Sequence, residues 1–263
     1  MNTPIVIIGL GELAGVFAKA FLRHGHPVYP VTRSMDMAQE AENLPQPQLV
    51  LVAVAEKDFA EVMGSVPDPW RSKLVLLQNE LLPRDWEAYA IENPTVISVW
   101  FEKKRGMDYN VLLPSPVYGP NADLIAESLA GIEIPCNVMT SANDLVFELV
   151  LKNVFVFTIN IAGLVLEEGT TTSMLWHKHQ KLALDVADNV IDVQEFVTGK
   201  TFARDRLRQG LLAGINGDPH HRCRGRSAPG RLARVVEIAD EANLPIPAIR
   251  DIHRRSMRTP SMK

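Results

Sequence analysis

The chain has 263 residues, of which 46% are hydrophobic and 22% charged, with a formal net charge of −4. This balance is typical of a soluble globular protein, and the negative charge gives no electrostatic reason to expect a nucleic acid or an anionic membrane as partner. The two cysteines, Cys136 and Cys223, provide no disulfide framework and are typical of a protein in a reducing cytoplasm.

The N-terminal residues predict a strand, a glycine turn, a helix and a second strand. An apolar run, Ile5 to Ile8, leads into Gly9-Leu10-Gly11, and an amphipathic segment and a second apolar run, Val28 to Val31, follow. That order and spacing are typical of a dinucleotide-binding βαβ unit. The alternative is a scaffold of the same kind whose glycine turn binds no nucleotide.

The small residues of the turn suit a bound pyrophosphate. Gly9 would make the tight turn, Gly11 would let the pyrophosphate approach the backbone, and Ala14 would permit the helix to pack closely on the strand. The helix beginning near Glu12 would direct its free N–H groups and its positive dipole end at the same group. The pattern therefore predicts a nucleotide site at this turn.

The end of the second predicted strand bears on which dinucleotide binds. NAD sites usually have an acidic residue there, whereas this strand leads into Thr32-Arg33-Ser34 and the first acidic residue is Asp36. A cation beside two hydroxyls suits a 2′-phosphate, with no carboxylate to repel it. The segment therefore favours NADP(H), with Arg33 and Ser34 as ligands, and the alternative is that Arg33 is a solvated loop residue.

The rest of the first half continues the alternation of strands and helices. Short apolar runs without a two-residue period are expected when helices cover both faces of a sheet. We therefore predict an α/β fold, with a doubly wound parallel sheet in a Rossmann domain (residues 1–140) and an all-α domain (residues 141–263). Predicted strands span 48–54, 73–79, 95–101, 109–113 and 132–138, and long helices span 144–166 and 173–197.

The segment from Leu145 to Leu166 is apolar and long enough to span a bilayer. Glu148, Lys152 and Asn160 lie within it, however, and central charges are costly in hydrocarbon. We therefore predict the core helix of a soluble protein, which could also form a homodimer interface.

Lys152 is the most unusual residue of that helix. Its neighbours are apolar, and a lysine that loses hydration has a lowered pKa and becomes a plausible proton donor. Asn160 lies about 80° around the helix and about 12 Å along it, so the two side chains would hold opposite ends of a small ligand. The alternative is an ion pair between Glu148 and Lys152 on a half-exposed edge.

Polar residues elsewhere are less informative. Asn79 ends a predicted strand and could contact a nicotinamide ribose or the substrate, and the alternative is a turn or helix N-cap residue. No metal site is predicted, because His177 and His179 are two residues apart on a helix and do not face each other.

Taken together, these segments resemble the ketopantoate reductase (2-dehydropantoate 2-reductase) family. The turn from Gly9 to Ala14 is similar to that family's nucleotide loop, and Leu76 to Asn79 is similar to its strand that ends in Asn-Gly. Leu151 to Asn160 resembles its helix with a catalytic lysine, and residues 233–247 resemble its closing helix and Pro-x-Pro turn. The resemblance implies an NADP-binding domain, a helical domain and an active site in the cleft between them.

The resemblance also implies roles for individual residues. Lys152 would be catalytic, and Asn160 and Asn79 would bind the substrate. The residues that would bind the cofactor are Gly9, Leu10, Gly11, Glu12, Leu13, Arg33, Ser34 and Asn79.

The sequence departs from the family pattern at several positions. Val156 stands where the family usually has a second asparagine, Ala55 where it has a lysine, and Glu80 where it has the glycine after Asn79. An ungapped comparison places Pro229 at the family's substrate-binding glutamate. These departures affect the identity of the substrate more than the fold or the cofactor.

We therefore predict a cytoplasmic NADPH-dependent oxidoreductase that reduces a small 2-oxo acid or related carbonyl to the alcohol. One alternative is an imine or hydroxyacid dehydrogenase of the 6-phosphogluconate-dehydrogenase-like group, and another is a noncatalytic NADP(H)-binding protein. The expected partners are a small-molecule substrate and a second copy of the chain.

Overall fold

The computed structural model describes residues 2–258, and the chain divides into two compact units between Leu149 and Val150. The predicted domain boundary, residue 140, precedes the first residue of the helix in which this division falls. The strands are β1 (Ile5–Ile8), β2 (Val28–Val31), β3 (Val50–Val52), β4 (Leu74–Leu76), β5 (Thr95–Ile97), β6 (Phe101–Lys103), β7 (Tyr109–Val111), β8 (Ser115–Tyr118) and β9 (Cys136–Val138). The helices are α1 (Glu12–Arg23), α2 (Met37–Asn43), α3 (Glu56–Ser65), α4 (Asp68–Arg71), α5 (Pro83–Glu87), α6 (Ala122–Ala130), α7 (Ala142–Gly163), α8 (Thr172–Thr198), α9 (Arg204–Gly217), α10 (Ala228–Glu241) and α11 (Pro247–Arg258).

The first unit is built on one twisted sheet. Among residues 2–258, seven strands form it in the order β2-β1-β3-β4-β5-β8-β9. The first five of these are parallel to one another, and β8 is antiparallel to β5. The strand order reverses at β1, which lies between β2 and β3, and ligands of open α/β sheets bind beyond the carboxyl ends of the strands at such a point. The predicted α/β fold class is confirmed, with one antiparallel pair added.

The apolar runs form strands because both faces of the sheet are covered. All four residues of β1 are buried, and Val50 to Val52 of β3 are fully buried beside them. Helix α1 packs on the sheet through one face that includes Phe17 and Phe21, both 0% exposed. This packing fixes the position of the first residue of α1 relative to the end of β1, and therefore the geometry of the turn between them.

Two predictions of strands differ from the structure. The run 95–101 forms two strands, because the chain leaves the sheet after β5 and β6 pairs with β7 in a separate antiparallel hairpin. Strand β8 was not predicted, since prolines usually interrupt strands. Pro116 has no N–H to donate, but its carbonyl accepts a hydrogen bond from the Ser98 N–H at 2.9 Å and so continues the pairing of β8 with β5.

The second unit is helical, as predicted. Helix α8 bends at His179, whose φ of −134° lies outside the helical region. Asn153 on α7 donates to Gln194 on α8 at 2.9 Å, and both side chains are buried. Gly210 on α9 has no side chain, which allows α9 to approach Leu151 of α7 closely.

Helix α7 is long and apolar enough to cross a membrane by length and composition alone. However, 83% of its most apolar window is buried inside the protein. That burial is expected of a core helix, as predicted for residues 145–166.

Candidate active site

The turn between β1 and α1 requires glycine at its first position. Gly9 has a φ of +93°, in the left-handed region that favours glycine. A Cβ atom there would lie 2.7 Å from the carbonyl oxygen of Ala53, which follows β3. The turn therefore passes directly over the end of the neighbouring strand, and Gly9 serves the fold.

Gly11 has a different role, since its backbone conformation is accessible to any residue. It caps α1 with a φ of −77°, no side chain caps the first turn, and a Cβ built on Gly11 would meet no atom within 4 Å. The backbone at the start of α1 is therefore open to a ligand beside Gly11. This arrangement fits the phosphate of a dinucleotide.

The helix and strand behind this turn pack as predicted. Ala14 is 1% exposed and lies in the hydrophobic core with β1. Leu10, by contrast, is 62% exposed at the tip of the turn. Gly9 and Ala14 therefore fix the turn, while Leu10 and Gly11 are accessible to a ligand.

A lysine that the sequence did not predict lies beside the turn. Lys103, on β6, has its Nζ atom 3.6 Å from the Glu12 carboxylate and donates to the carbonyl of Lys104 at 3.0 Å. Both Lys103 and Glu12 line a cavity of about 430 Å³ next to Gly11. Because Glu12 adds negative charge at the start of α1, the Lys103 ammonium offsets its repulsion of a phosphate. Only the β6–β7 hairpin brings Lys103 there, so no local sequence signal could have identified it.

The structure corrects the environment predicted for Arg33. Its guanidinium bonds to the carboxylate of Asp58, on α3, so the prediction that no carboxylate lies beside Arg33 is wrong. The parallel packing of β1 between β2 and β3 brings these residues together across 25 positions of sequence. Ser34, predicted beside Arg33, lies with its hydroxyl 3.0 Å from that of Thr32.

Asn79 lies in a turn after β4, at the same edge of the sheet as Gly9 and Arg33. It is exposed and is not a helix N-cap, since α5 begins after Leu82. The buried Gln78 donates to the carbonyl of Val52 at 2.8 Å and ties the end of β4 to that of β3. Glu80 has a φ of +63°, so the chain keeps a left-handed conformation where the family pattern has glycine.

In the second unit, Lys152 lies on α7 as predicted and is half-buried. Its Nζ atom lies 5.7 Å from the centre of the Phe155 ring, a cation–π distance. The side chain of Phe155 is buried, and Val154 beside it is 0% exposed. The lysine therefore lies on a largely apolar helix, as the sequence indicated.

Asn160, two turns further along α7, makes a contact that the sequence did not predict. It is 5% exposed, and its Oδ1 atom accepts a hydrogen bond from Arg231 of α10 at 3.1 Å. Arg231 is itself only 8% exposed. Gly225 approaches the same oxygen, since a Cβ there would lie 3.0 Å from it.

Pro229, which the sequence comparison places at the family's substrate-binding glutamate, has no carboxylate. Pro229 is exposed in the first turn of α10. It lines a cavity of about 1150 Å³ with Arg224, Arg226 and the carboxylate-bearing Glu168. The buried charged residue of α10 that faces Asn160 is instead a cation, Arg231.

Neither cysteine has the properties of a nucleophile. Burial raises the pKa of the Cys136 thiol from 9.0 to about 12 and that of Cys223 to about 11. Both thiols are therefore protonated at neutral pH, and a thiol must ionise before it attacks. This environment is that of packing residues.

No family model matches the sequence, and a search of curated proteins finds no match. Solved structures do resemble it. A probable 2-dehydropantoate 2-reductase from Bacillus subtilis superposes with a TM-score of 0.69 at 14% identity, over 97% of this chain and 99% of that one. A PanE/ApbA family ketopantoate reductase from Ralstonia eutropha JMP134 gives 0.68 at 15% identity, over 97% of both chains.

The chain has the ketopantoate reductase fold. A D-mandelate dehydrogenase, solved with NADH and anilino(oxo)acetate, shares this fold with a TM-score of 0.66 at 10% identity over 97% of both chains. At these identities the likeness concerns the fold, and the predicted structural resemblance is confirmed at that level. The predicted site residues of this ketopantoate reductase-like chain fall into two sets: Gly9 to Leu13, Arg33, Ser34 and Asn79 at one sheet edge, and Lys152 and Asn160 on α7.

Proposed function

We propose that this chain is an NADPH-dependent oxidoreductase that reduces a small 2-oxo acid or a related carbonyl compound. The observation that carries the proposal is the open backbone of Gly11 at the start of α1, in a fold shared with ketopantoate reductases and a hydroxyacid dehydrogenase. The sheet edge beside Gly11 would hold the cofactor. Helix α7 would supply the proton donor and one substrate contact.

Residues of the first unit would bind and orient the cofactor. The N–H groups of the first turn of α1 would donate to its pyrophosphate, and Lys103 would reduce the repulsion that Glu12 exerts on that group. Asn79 would contact the nicotinamide side. When bound, the cofactor supplies the hydride that reduces a carbonyl carbon.

Lys152 would act on the carbonyl oxygen. Its ammonium would donate a hydrogen bond that polarises the C=O bond, and it would then transfer a proton to the alkoxide oxygen as the carbon becomes reduced. The product is the alcohol, and the lysine regains its proton from solvent. Asn160 would hold a second group of the substrate.

Arg33 would bind the 2′-phosphate of NADPH after exchanging its carboxylate partner. Its side chain is 82% exposed, and exposed ion pairs contribute only about 0.2–1 kcal/mol. The Asp58 side chain is 21% exposed, so a phosphate dianion would compete with its carboxylate for the Arg33 guanidinium. The same carboxylate favours a second candidate, an NADH-dependent hydroxyacid dehydrogenase, in which Asp58 would accept hydrogen bonds from the ribose hydroxyls.

The experiment is a direct comparison of the two cofactors. Purified protein is titrated with NADPH and NADH, and oxidation of each is followed with ketopantoate, pyruvate, 2-oxoisovalerate and phenylglyoxylate. We expect NADPH to bind more tightly and at least one 2-oxo acid to be reduced. A preference for NADH with turnover would support the second candidate, and tight binding without turnover of any compound would support a noncatalytic role.

A further inference from the structure

A cavity of about 1150 Å³ lies within the helical unit and has no part in the proposed reaction. It is lined by the segment after α7, by the first turns of α10, by the end of α11 and by the loop that leads into α10. Lys152 and Asn160 do not line it. Pockets that hold small ligands usually measure about 300–1,000 Å³, so this cavity has room for a molecule much larger than a three-carbon acid.

Two arginines of the loop before α10 give this cavity positive charge. Arg224 and Arg226 both line it and are both exposed, and neither makes an ion pair with any residue that the structure describes. Arg255 also lines the cavity, but its guanidinium lies 2.7 Å from the Asp251 carboxylate, which partly neutralises it. Glu168 brings one carboxylate to the same lining. The balance of charge favours an anion, and Arg224 and Arg226 are the groups available to it.

Apolar side chains make up much of the remaining lining. Leu164, Val165 and Leu166 follow α7 directly, and each is partly exposed. Met257 of α11 is 73% exposed, and Ala233 of α10 is exposed as well. A cluster of apolar groups in contact with water favours a ligand that covers it, because the transfer of apolar surface out of water is favourable. A purely polar anion such as phosphate would leave these side chains in water.

We propose that this cavity binds an organic anion with an extended apolar body, namely a medium-chain alkyl carboxylate. Arg224 and Arg226 bind its carboxylate, since the guanidinium group presents N–H donors in the geometry that a carboxylate accepts. The alkyl chain covers the apolar residues from Leu164 to Leu166. The site lies apart from Lys152 and goes beyond the proposed reduction, on which it does not depend.

The test measures the affinity of octanoate by isothermal titration at neutral pH. Octanamide has the same chain without the charge, and hexanoate has the same charge on a shorter chain. Octanoate should bind at least about fivefold more tightly than octanamide, because hydrogen bonds to charged groups are the stronger ones. It should bind about tenfold more tightly than hexanoate, since each buried methylene contributes about three- to fourfold. Equal affinities in either comparison, or no binding of octanoate, would overturn the proposal.

The two arginines are tested by substitution with methionine, which keeps an apolar stem and removes the charge. Arg224→Met and Arg226→Met should each weaken octanoate binding and leave octanamide binding nearly the same, and the double variant should abolish the preference for octanoate. Arg222→Met is the control, because Arg222 is exposed in the same loop but does not line the cavity. An equal loss in Arg222→Met would show that only net charge matters, which would contradict the proposal.

Ala233→Trp tests the cavity itself, because it fills space without a change of charge. Ala233 is exposed on α10, so the melting temperature should be unchanged. The indole should weaken octanoate and octanamide alike, by about tenfold if it displaces two methylenes of the chain. Glu237→Trp is the control, at an exposed position one turn further along α10 that does not line the cavity. If Ala233→Trp binds both compounds as the wild type does, the ligand lies elsewhere and the proposal fails.

Lys152→Ala distinguishes this site from the proposed active site. Octanoate should bind to this variant as it does to the wild type, with or without NADPH, because Lys152 does not line the cavity. Loss of octanoate binding in Lys152→Ala would place the ligand at the proposed active site and refute a separate one. Octanoate binding that responds to the arginine variants as expected, in a protein that binds no nicotinamide cofactor, would refute the proposed function and leave this site standing.

Discussion

The turn after β1 and the contact between α7 and α10 differ in what makes them. The turn consists of three consecutive residues, Gly9 to Gly11, and its properties belong to the backbone: a positive φ at Gly9 and open space at Gly11. The contact joins the side chains of Asn160 and Arg231, which are 71 residues apart. A site formed by the backbone can be predicted from consecutive residues, whereas a site formed by side chains depends on which helices pack together.

The turn after β1 and Lys152 lie in different units, so a substitution at Lys152 should change catalysis without changing cofactor binding. Lys152→Ala should change activity more than any other variant below. Loss of a general acid should lower kcat about 10²- to 10⁴-fold. The dissociation constant of NADPH, measured by fluorescence titration, should stay nearly the same because the turn after β1 is unaltered. Lys178→Ala, at an exposed position on α8, is the control. An unchanged kcat would remove Lys152 from the mechanism.

The two glycines of the turn should respond differently to the same substitution. Gly9→Ala places a Cβ 2.7 Å from the Ala53 carbonyl in a left-handed backbone. Left-handed strain costs about 1–2 kcal/mol and overpacking about 1–3 kcal/mol, so the free energy of unfolding should fall by about 2–5 kcal/mol. Urea denaturation followed by circular dichroism measures this loss.

Gly11→Ala is the matched variant, because its Cβ would meet no atom within 4 Å. The free energy of unfolding should change by less than about 0.5 kcal/mol, as for surface substitutions. The new methyl group would occupy the space proposed for the pyrophosphate, so NADPH affinity should fall clearly. A loss of stability as large as that of Gly9→Ala would contradict the conclusion that the fold requires glycine at position 9 but not at position 11.

Asp58→Asn tests the ion pair that the sequence did not predict. Removal of the carboxylate beside Arg33 should raise the preference for NADPH over NADH, by up to about fivefold, because exposed ion pairs contribute about 0.2–1 kcal/mol. Arg33→Ala should shift the preference in the opposite direction. The measurement is the ratio of the dissociation constants of NADPH and NADH. If this ratio changes in neither variant, the 2′-phosphate does not bind beside Arg33 and Asp58.

The two thiols report on opening of the two units and should give the smallest signal. Their raised pKa values mean that the folded protein favours the neutral thiols, so this contribution to stability is complete below pH 9.0 and declines toward pH 11–12. Native protein at neutral pH should react with iodoacetamide at neither cysteine, and protein in urea at both. Mass spectrometry identifies the labelled thiol, and rapid labelling of native Cys223 would show that the helical unit opens there.

Local sequence was sufficient for much of the first unit. The glycine turn, α1 and the strands β1 to β4 follow from the sequence, since an amphipathic helix has a characteristic period and buried parallel strands are short apolar runs without alternation. Strand β8 was missed because Pro116 is atypical of strands, and its pairing depends on Ser98 in another segment.

Tertiary structure alone decided the partners of the predicted residues. Arg33, Glu12 and Asn160 were all identified from sequence, yet Asp58, Lys103 and Arg231, which set their charge environment, come from distant segments. A backbone turn is specified by the conformations that its own residues allow. The electrostatics of a site depend on distances of a few ångströms between residues far apart in the chain, and those distances exist only once the strands and helices have packed.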